Sequence, residues 1–231
     1  TDGLADAATP NTLVMDMGTT DAATTASIAA RLQEVGAAFV DAPVSGGRVG
    51  ATKGRLTIFV GADSAKDHER VAPLLEVMGE NVTVMGKVGT GQAAKVVNQL
   101  ISFSAQVTVA EAMALARRSG LELDTLIPAL AGGAADSVVL QILGPRMAAE
   151  DWSITAHMSL AEKDLGIVID AAEAHGLDLK VAAAARERWA DAIRSIGPDH
   201  DIAEIVRLVD PDFSGGGWHG GGDAVGSGTA E

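Results

Sequence analysis

The 231-residue sequence predicts an α/β region followed by an all-α region. Three observations carry that expectation. Up to about residue 88, short apolar runs ending in turn residues alternate with alanine-rich or amphipathic segments. From Gly89 onward, helix-type segments follow one another with no convincing strand between them. Gly120, Gly176 and Gly197 stand just past the ends of such segments, where helix C-caps belong. The expected divisions are residues 1–88, residues 89–213 and a glycine-rich disordered tail over residues 214–231.

Residues 12–17, TLVMDM, form the first expected strand, ending at Gly18-Thr19-Thr20-Asp21. Thr20 or Asp21 is a suitable N-cap for the alanine-rich helix running to about Val35. AFVDAPV, residues 38–44, is the second strand; its Pro43 belongs near a strand end, and Ser45-Gly46-Gly47 is a turn. RLTIFVG is the third, followed by a helix capped by Asp63 and by a fourth strand in NVTVM, residues 81–85. Helices are then expected over 92–119, 123–130, 137–147, 159–175 and 181–195, with a short one near 202–209.

Composition excludes several function classes. There is no cysteine, so disulfides, thiolate catalysis and cysteine-ligated metals are absent. A formal charge of −14 without a basic cluster opposes nucleic-acid binding. No apolar run approaches the roughly 20 residues that cross a bilayer, so no membrane partner is expected. The first residues lack the basic and apolar parts of a secretory signal, and a cytoplasmic protein is the default expectation. His68, His157, His175, His200 and His219 lie far apart, and no metal site is expected. Asp199-His200-Asp201 reads as a solvated helix entry, because adjacent side chains rarely converge on one ion.

Gly89-x-Gly91-x-x-Ala94 matches a dinucleotide fingerprint on its face. A pyrophosphate loop requires a strand before it and a strand with a ribose-binding acid after it, whereas here a helix of more than twenty residues follows. A hinge into a closely packed helix is the better reading of the glycine pair. Between Val96 and Ala110 that helix carries no charged residue, which predicts burial on most sides. Lys95, Asn98, Gln99, Ser102 and Gln106 fall at i, i+3, i+4, i+7 and i+11, a single polar stripe. Either the stripe bonds neighbouring helices and Lys95 reaches solvent, or Lys95 is a desolvated amine near a helix N-terminus. The second arrangement lowers its pKa and suits acid–base catalysis. Ser45, Gly46 and Gly47 close a strand with one hydroxyl and two unobstructed N–H groups, a cradle for a carboxylate or else an ordinary turn. Glu162-Lys163-Asp164-Leu165 reads by itself as a wet helix surface.

Taken in order, DAPVSGGRVGATKGRLTIFVGA, GTGQAAKVVNQ and EKDLGIVIDAA resemble the β-hydroxyacid dehydrogenases, the family of 3-hydroxyisobutyrate dehydrogenase and tartronate semialdehyde reductase. The resemblance runs from Asn11 to about Leu208. It implies the C-terminal half of a Rossmann-like domain joined to a helical dimerisation and substrate domain. NAD or NADP is the implied cofactor, a small 3-hydroxy acid or its semialdehyde the substrate, and a homo-oligomer, dimer or tetramer, the assembly. It also implies that Lys95 is the catalytic acid–base, that Ser45, Gly46, Gly47, Asn98 and Gln99 bind substrate, and that Thr19 and Lys163 lie at the cofactor. Asn98-Gln99 and AGGAADSVVLQILGPRM are similar to the tartronate semialdehyde reductases. The family's first strand and its Gly-x-Gly-x-x-Gly loop, which hold the pyrophosphate and select NAD or NADP, have no counterpart in the sequence. The alternative expectation is therefore a truncated, non-catalytic remnant serving only as a helical dimerisation module. A cousin of imine reductases or of 6-phosphogluconate dehydrogenase fits less well, since the former commonly replace the lysine and the latter pair it with a histidine where Asn98 stands.

Overall fold

A computed structural model describes residues 3–213; the expected tail at residues 214–231 lies outside the described residues. A short helix, α1 (Leu4–Ala7), precedes strand β1 (Leu13–Asp16), helix α2 (Ala22–Glu34), strand β2 (Ala38–Asp41) and the two-residue strand β3 (Val44–Ser45). Helix α3 (Gly47–Thr52), strand β4 (Leu56–Ala62), helix α4 (Ala65–Met78) and strand β5 (Gly79–Gly86) complete the α/β part. Then come α5 (Thr90–Arg118), α6 (Leu123–Leu130), α7 (Val138–Ala148), α8 (Met158–Ala174) and α9 (Lys180–Ser195). A 3₁₀ turn (Ile202–Ile205) leads into α10 (Val206–Val209).

The sheet is mixed. β1 and β2 pair in parallel across α2, β4 and β5 pair in parallel across α4, and β2 and β3 both run antiparallel to β4. The expected single strand over residues 38–44 is two strands. Pro43 has no N–H to donate to a ladder, and the break falls at Ala42-Pro43. Ser45-Gly46-Gly47 is a helix entry as well as a turn: Gly46 (φ 122°) and Gly47 (φ 57°) take left-handed backbone and feed α3, a helix masked in the sequence by its own glycines. The cap of α4 is Ser64, whose hydroxyl accepts the Asp67 N–H at 3.1 Å, while Asp63 accepts the Val88 N–H. Asp21 caps α2 through the Thr24 N–H at 2.8 Å, and these bonds hold its carboxyl below the usual range.

The chain divides into two compact units, one comprising residues to Ala105 with Ile154–Ile202, the other Gln106–Ser153 with the chain from Ala203. In the first unit, one sheet face buries Val40, Ile58 and Val60 against Val71 and Leu75 of α4; the other sets Phe39 against Leu32 of α2. Trp189 of α9 is fully buried, packs edge-on to Phe103 of α5 at 6.1 Å and donates to its carbonyl at 3.2 Å. Asp201 corrects the expected solvated turn: it is buried and accepts the Thr155 N–H and hydroxyl at 2.6 and 2.9 Å, because the loop before α8 needs an acceptor. In the second unit, buried Asp210 joins Arg117 (2.6 Å) and Arg118 (3.1 Å), and these cations hold its carboxyl below the usual range. The uncharged stretch of α5 is buried or half-buried on most sides, as its lack of charge predicts; its exposed residues include Val97 and Ile101, one turn apart and 56% and 65% exposed in the single chain.

Candidate active site

The site is assembled where α5 begins. Asp41, the last residue of β2, is fully buried; its two carboxylate oxygens accept the Gly89 N–H at 2.7 Å and the Gln92 N–H at 2.8 Å. It thus caps α5 from a distant strand, satisfying N–H groups that a helix start leaves orphaned. Burial pushes the Asp41 carboxyl up, and the backbone bonds from Gly89 and Gln92 oppose that. The glycine pair is explained by this contact. A Cβ on Gly91 would stand 2.5 Å from the Phe59 carbonyl and 2.8 Å from the Asp41 carboxylate, and Gly89 takes φ 91°. The motif lets a helix touch a sheet.

One turn farther along α5, Lys95 is 6% exposed, so its amine does not reach bulk water. Its Nζ donates to Gln99 Oε1 at 2.7 Å, and Asn98 Nδ2 donates to the same oxygen at 2.8 Å. The Gln99 amide nitrogen donates to the buried carboxylate of Asp164 on α8. That partner fixes the amide's orientation: only the NH₂ end can face a carboxylate, so the oxygen faces the lysine. The other Asp164 oxygen pairs with Lys163 Nζ at 2.8 Å, and the same Nζ donates to the Thr19 carbonyl at 3.3 Å. A continuous polar path therefore runs from the lysine amine through Gln99, Asp164 and Lys163 to the turn after β1.

Burial lowers the Lys95 pKa from 10.5 to about 8; the Asp164 charge opposes the fall and the Lys163 charge adds to it. Lys95 is the sixth residue of α5, and of the two causes the sequence suggests, desolvation and the helix N-terminus, desolvation leads. An amine with this pKa exchanges protons readily near neutral pH, and one of its three donor positions is committed to Gln99.

The structure brings together Lys95, Asn98, Gln99, Lys163 and Thr19. Among the described residues no hydrogen bond joins Ser45, Gly46 or Gly47 to Lys95, Asn98 or Gln99. Gly46 and Gly47 are exposed at the start of α3. The turn Gly18–Thr20 lies at the carboxyl end of a parallel strand, where open α/β sheets bind dinucleotides. A Cβ on Gly18 would stand 3.2 Å from Asp16 Oδ1, and the exposed Lys163 cation lies against the turn, which fits an anionic dinucleotide at this strand end. A cleft of about 510 Å³ opens beside β1 and α2, lined by Val14, Asp16, Thr20, Ile28 and Phe39; Lys95 and the Ser-Gly-Gly segment are not in its wall.

Comparison with known proteins places the chain. Residues 1–86 match the NAD binding domain of 6-phosphogluconate dehydrogenase, and residues 89–209 match the NAD-binding region of NADP-dependent 3-hydroxyisobutyrate dehydrogenase. The 2-hydroxy-3-oxopropionate reductase of Escherichia coli strain K12 is 34% identical over 85% of this chain and 67% of its own length. The chain belongs to the β-hydroxyacid dehydrogenase family. The NAD-dependent L-serine dehydrogenase of Pseudomonas aeruginosa, at 33% identity, covers 91% of this β-hydroxyacid dehydrogenase and is itself covered over 72%. A crystal structure of 3-hydroxyisobutyrate dehydrogenase from Salmonella typhimurium shares the fold with a TM-score of 0.83 at 29% identity, over 90% of this chain and 73% of that one. Family membership makes the chain an enzyme by descent, of a class built on NAD or NADP.

Three participants escaped the sequence reading. Asp164 sits inside a cluster read as wet surface, yet it falls three residues after Ala161 and four before Val168, on the face of α8 that is buried. That register was the available signal. Asp41 looked like part of a strand, and Gln92 like a helix start; neither has a local signal, since their partners lie 48 to 74 residues away. Among the described residues no helix is long and apolar enough to cross a membrane, and no group of three or more His, Asp or Glu could hold a metal ion.

Proposed function

We propose that the protein is an NAD(P)-dependent oxidoreductase of small 3-hydroxy acids in which Lys95 carries the proton. The observation that carries this reading is the buried amine, with its pKa near 8, bonded only through a glutamine to a buried carboxylate. A bound nicotinamide supplies or takes the hydride. In the reductive direction the protonated amine of Lys95 gives its proton to the carbonyl oxygen as that oxygen gains negative charge; in the oxidative direction the neutral amine takes the hydroxyl proton. Gln99 holds the amine in place, and Asp164 holds Gln99. Asn98, sharing the Gln99 oxygen, has a second amide hydrogen and an oxygen with which to orient substrate.

Ser45, Gly46 and Gly47 are proposed to hold the substrate carboxylate through a hydroxyl and the exposed N–H groups at the start of α3. Thr19 and Lys163 are proposed to meet the nicotinamide side, supported by their mutual contact at the carboxyl end of β1. The pair Asn98-Gln99 and the relationship to the E. coli 2-hydroxy-3-oxopropionate reductase favour tartronate semialdehyde as the substrate over 3-hydroxyisobutyrate. The exposed Val97 and Ile101 on α5 support a homo-oligomer that covers them. The test is a spectrophotometric screen of NADH and NADPH oxidation with tartronate semialdehyde and of NAD and NADP reduction with 3-hydroxyisobutyrate. Turnover of either, lost in K95A, is expected; saturable cofactor binding without turnover of any 3-hydroxy acid or semialdehyde would remove the reading.

A further inference from the structure

Gln92 is 1% exposed, uncharged and outside the proton path, yet both ends of its amide are bonded. Its Oε1 accepts the Thr20 N–H at 3.1 Å and its Nε2 donates to the Gly18 carbonyl at 2.9 Å. Both bonds land on the turn after β1, one residue to either side of Thr19. The Gln92 backbone is meanwhile held by Asp41 at 2.8 Å, so one residue joins the end of β2, the start of α5 and the turn after β1. Thr20 adds a bond from its hydroxyl to Asp16 Oδ2 at 2.9 Å, and Gly18 donates to Asp16 Oδ1 at 2.8 Å, but these tie the turn only to its own strand. Gln92 supplies both backbone bonds that tie Gly18 and Thr20 to another element, and Lys163 adds the contact to Thr19 from α8.

We infer that Gln92 is a positioning residue that latches the turn Gly18–Thr20 onto the helix carrying Lys95, so that the cofactor side and the proton donor are held by one rigid element. A buried primary amide is suited to this task. It presents an acceptor and a donor about 2 Å apart on one planar group, matching the N–H of Thr20 and the carbonyl of Gly18, and it adds no charge beside Lys95. The bonds made to it are otherwise orphaned, since both backbone groups are partly buried. The functional part of the inference rests on the reading of Thr19 as a cofactor contact; the latch itself does not.

The variant is Q92M, which keeps side-chain length and leaves the Asp41 bond to the backbone N–H of residue 92 intact. Amide hydrogen exchange on the whole chain, followed at Thr20, is measured beside the dissociation constants for NADH and NADPH by fluorescence. Loss of the two bonds is expected to speed exchange at Thr20 roughly tenfold and to weaken cofactor binding roughly tenfold, while the Gln99 and Leu100 amides in α5 exchange as before. Q92E, which keeps an acceptor for the Thr20 N–H, is expected to restore Thr20 protection in part. Unchanged Thr20 exchange in Q92M would overturn the latch. Faster exchange with unchanged cofactor affinity would overturn its positioning role. Failure of the unsubstituted chain to bind either cofactor would instead remove the reading of Thr19, leaving the latch to stand or fall on the exchange data.

Discussion

Substituting Lys95 by methionine removes a buried charge while keeping most of the side-chain volume, and its effect on stability follows from the geometry. An ammonium whose pKa is depressed from 10.5 to about 8 by burial is disfavoured in the folded state by roughly 3 kcal/mol relative to the unfolded chain. Below pH 8 both states carry the proton and this cost is present in full. Between pH 8 and 10.5 the unfolded chain binds the proton and the folded chain does not, so stability rises with pH across that window. Above it the cost is gone. The wild type is therefore expected to gain roughly 3 kcal/mol on K95M between pH 7 and pH 11. Other groups, including the repulsion within a chain of net charge −14, act on both proteins and cancel in the difference. At pH 7, K95M is expected to be the more stable of the two by about 1–3 kcal/mol, the lost bond to Gln99 offsetting part of the relief. The assay is urea denaturation of both proteins at pH 7, 8, 9, 10 and 11, with unfolding free energies extrapolated to water. Parallel stability curves for the two proteins from pH 7 to 11 would refute the claim that this amine is desolvated.

Asp164→Asn removes the charge that supports the protonated amine, so the Lys95 pKa is expected to fall farther and the pH dependence of reductive turnover to move to lower pH by about one unit; an unmoved profile would detach Asp164 from Lys95. Gly91→Ala places a methyl group 2.5 Å from the Phe59 carbonyl and is expected to destabilise the fold by at least about 2 kcal/mol in urea denaturation. A normally stable G91A with lost cofactor binding would instead revive the pyrophosphate-loop reading of the glycines. Asp41→Asn can accept only one of the two N–H groups from Gly89 and Gln92 and turns a donor toward the other, with an expected cost of about 1–3 kcal/mol measured the same way; an unchanged midpoint would show that the cap contributes nothing.

The parts of the molecule legible in the sequence are those whose cause is local. β1, β4 and the helices from α5 to α9 follow from apolar periodicity and from glycine stops, and their observed ends fall within a few residues of expectation. The polar stripe was legible for the same reason: Lys95 and Gln99 are four residues apart on one helix, and they bond. α3 was not, because six residues with two glycines carry no helical pattern of their own and are held by the turn at Gly46-Gly47. The mixed strand directions were hidden too, since alternation of strands and helices does not report that β2 and β3 both run antiparallel to β4. Asp41, Gln92 and Asp164 became visible only once the chain had folded, because each bonds across more than forty residues. In the sequence, the exposed Val97 and Ile101 looked like core because an uncharged helix face facing solvent cannot be told from one facing protein.

The central claim is that the Lys95 amine moves the proton, and steady-state kinetics of K95A with NADH or NADPH and the preferred semialdehyde tests it most directly. A loss of at least ~10²-fold in kcat with a modest change in KM is predicted, in keeping with the usual contribution of a positioned acid or base. A K95A enzyme turning over at close to the wild-type rate would contradict the account.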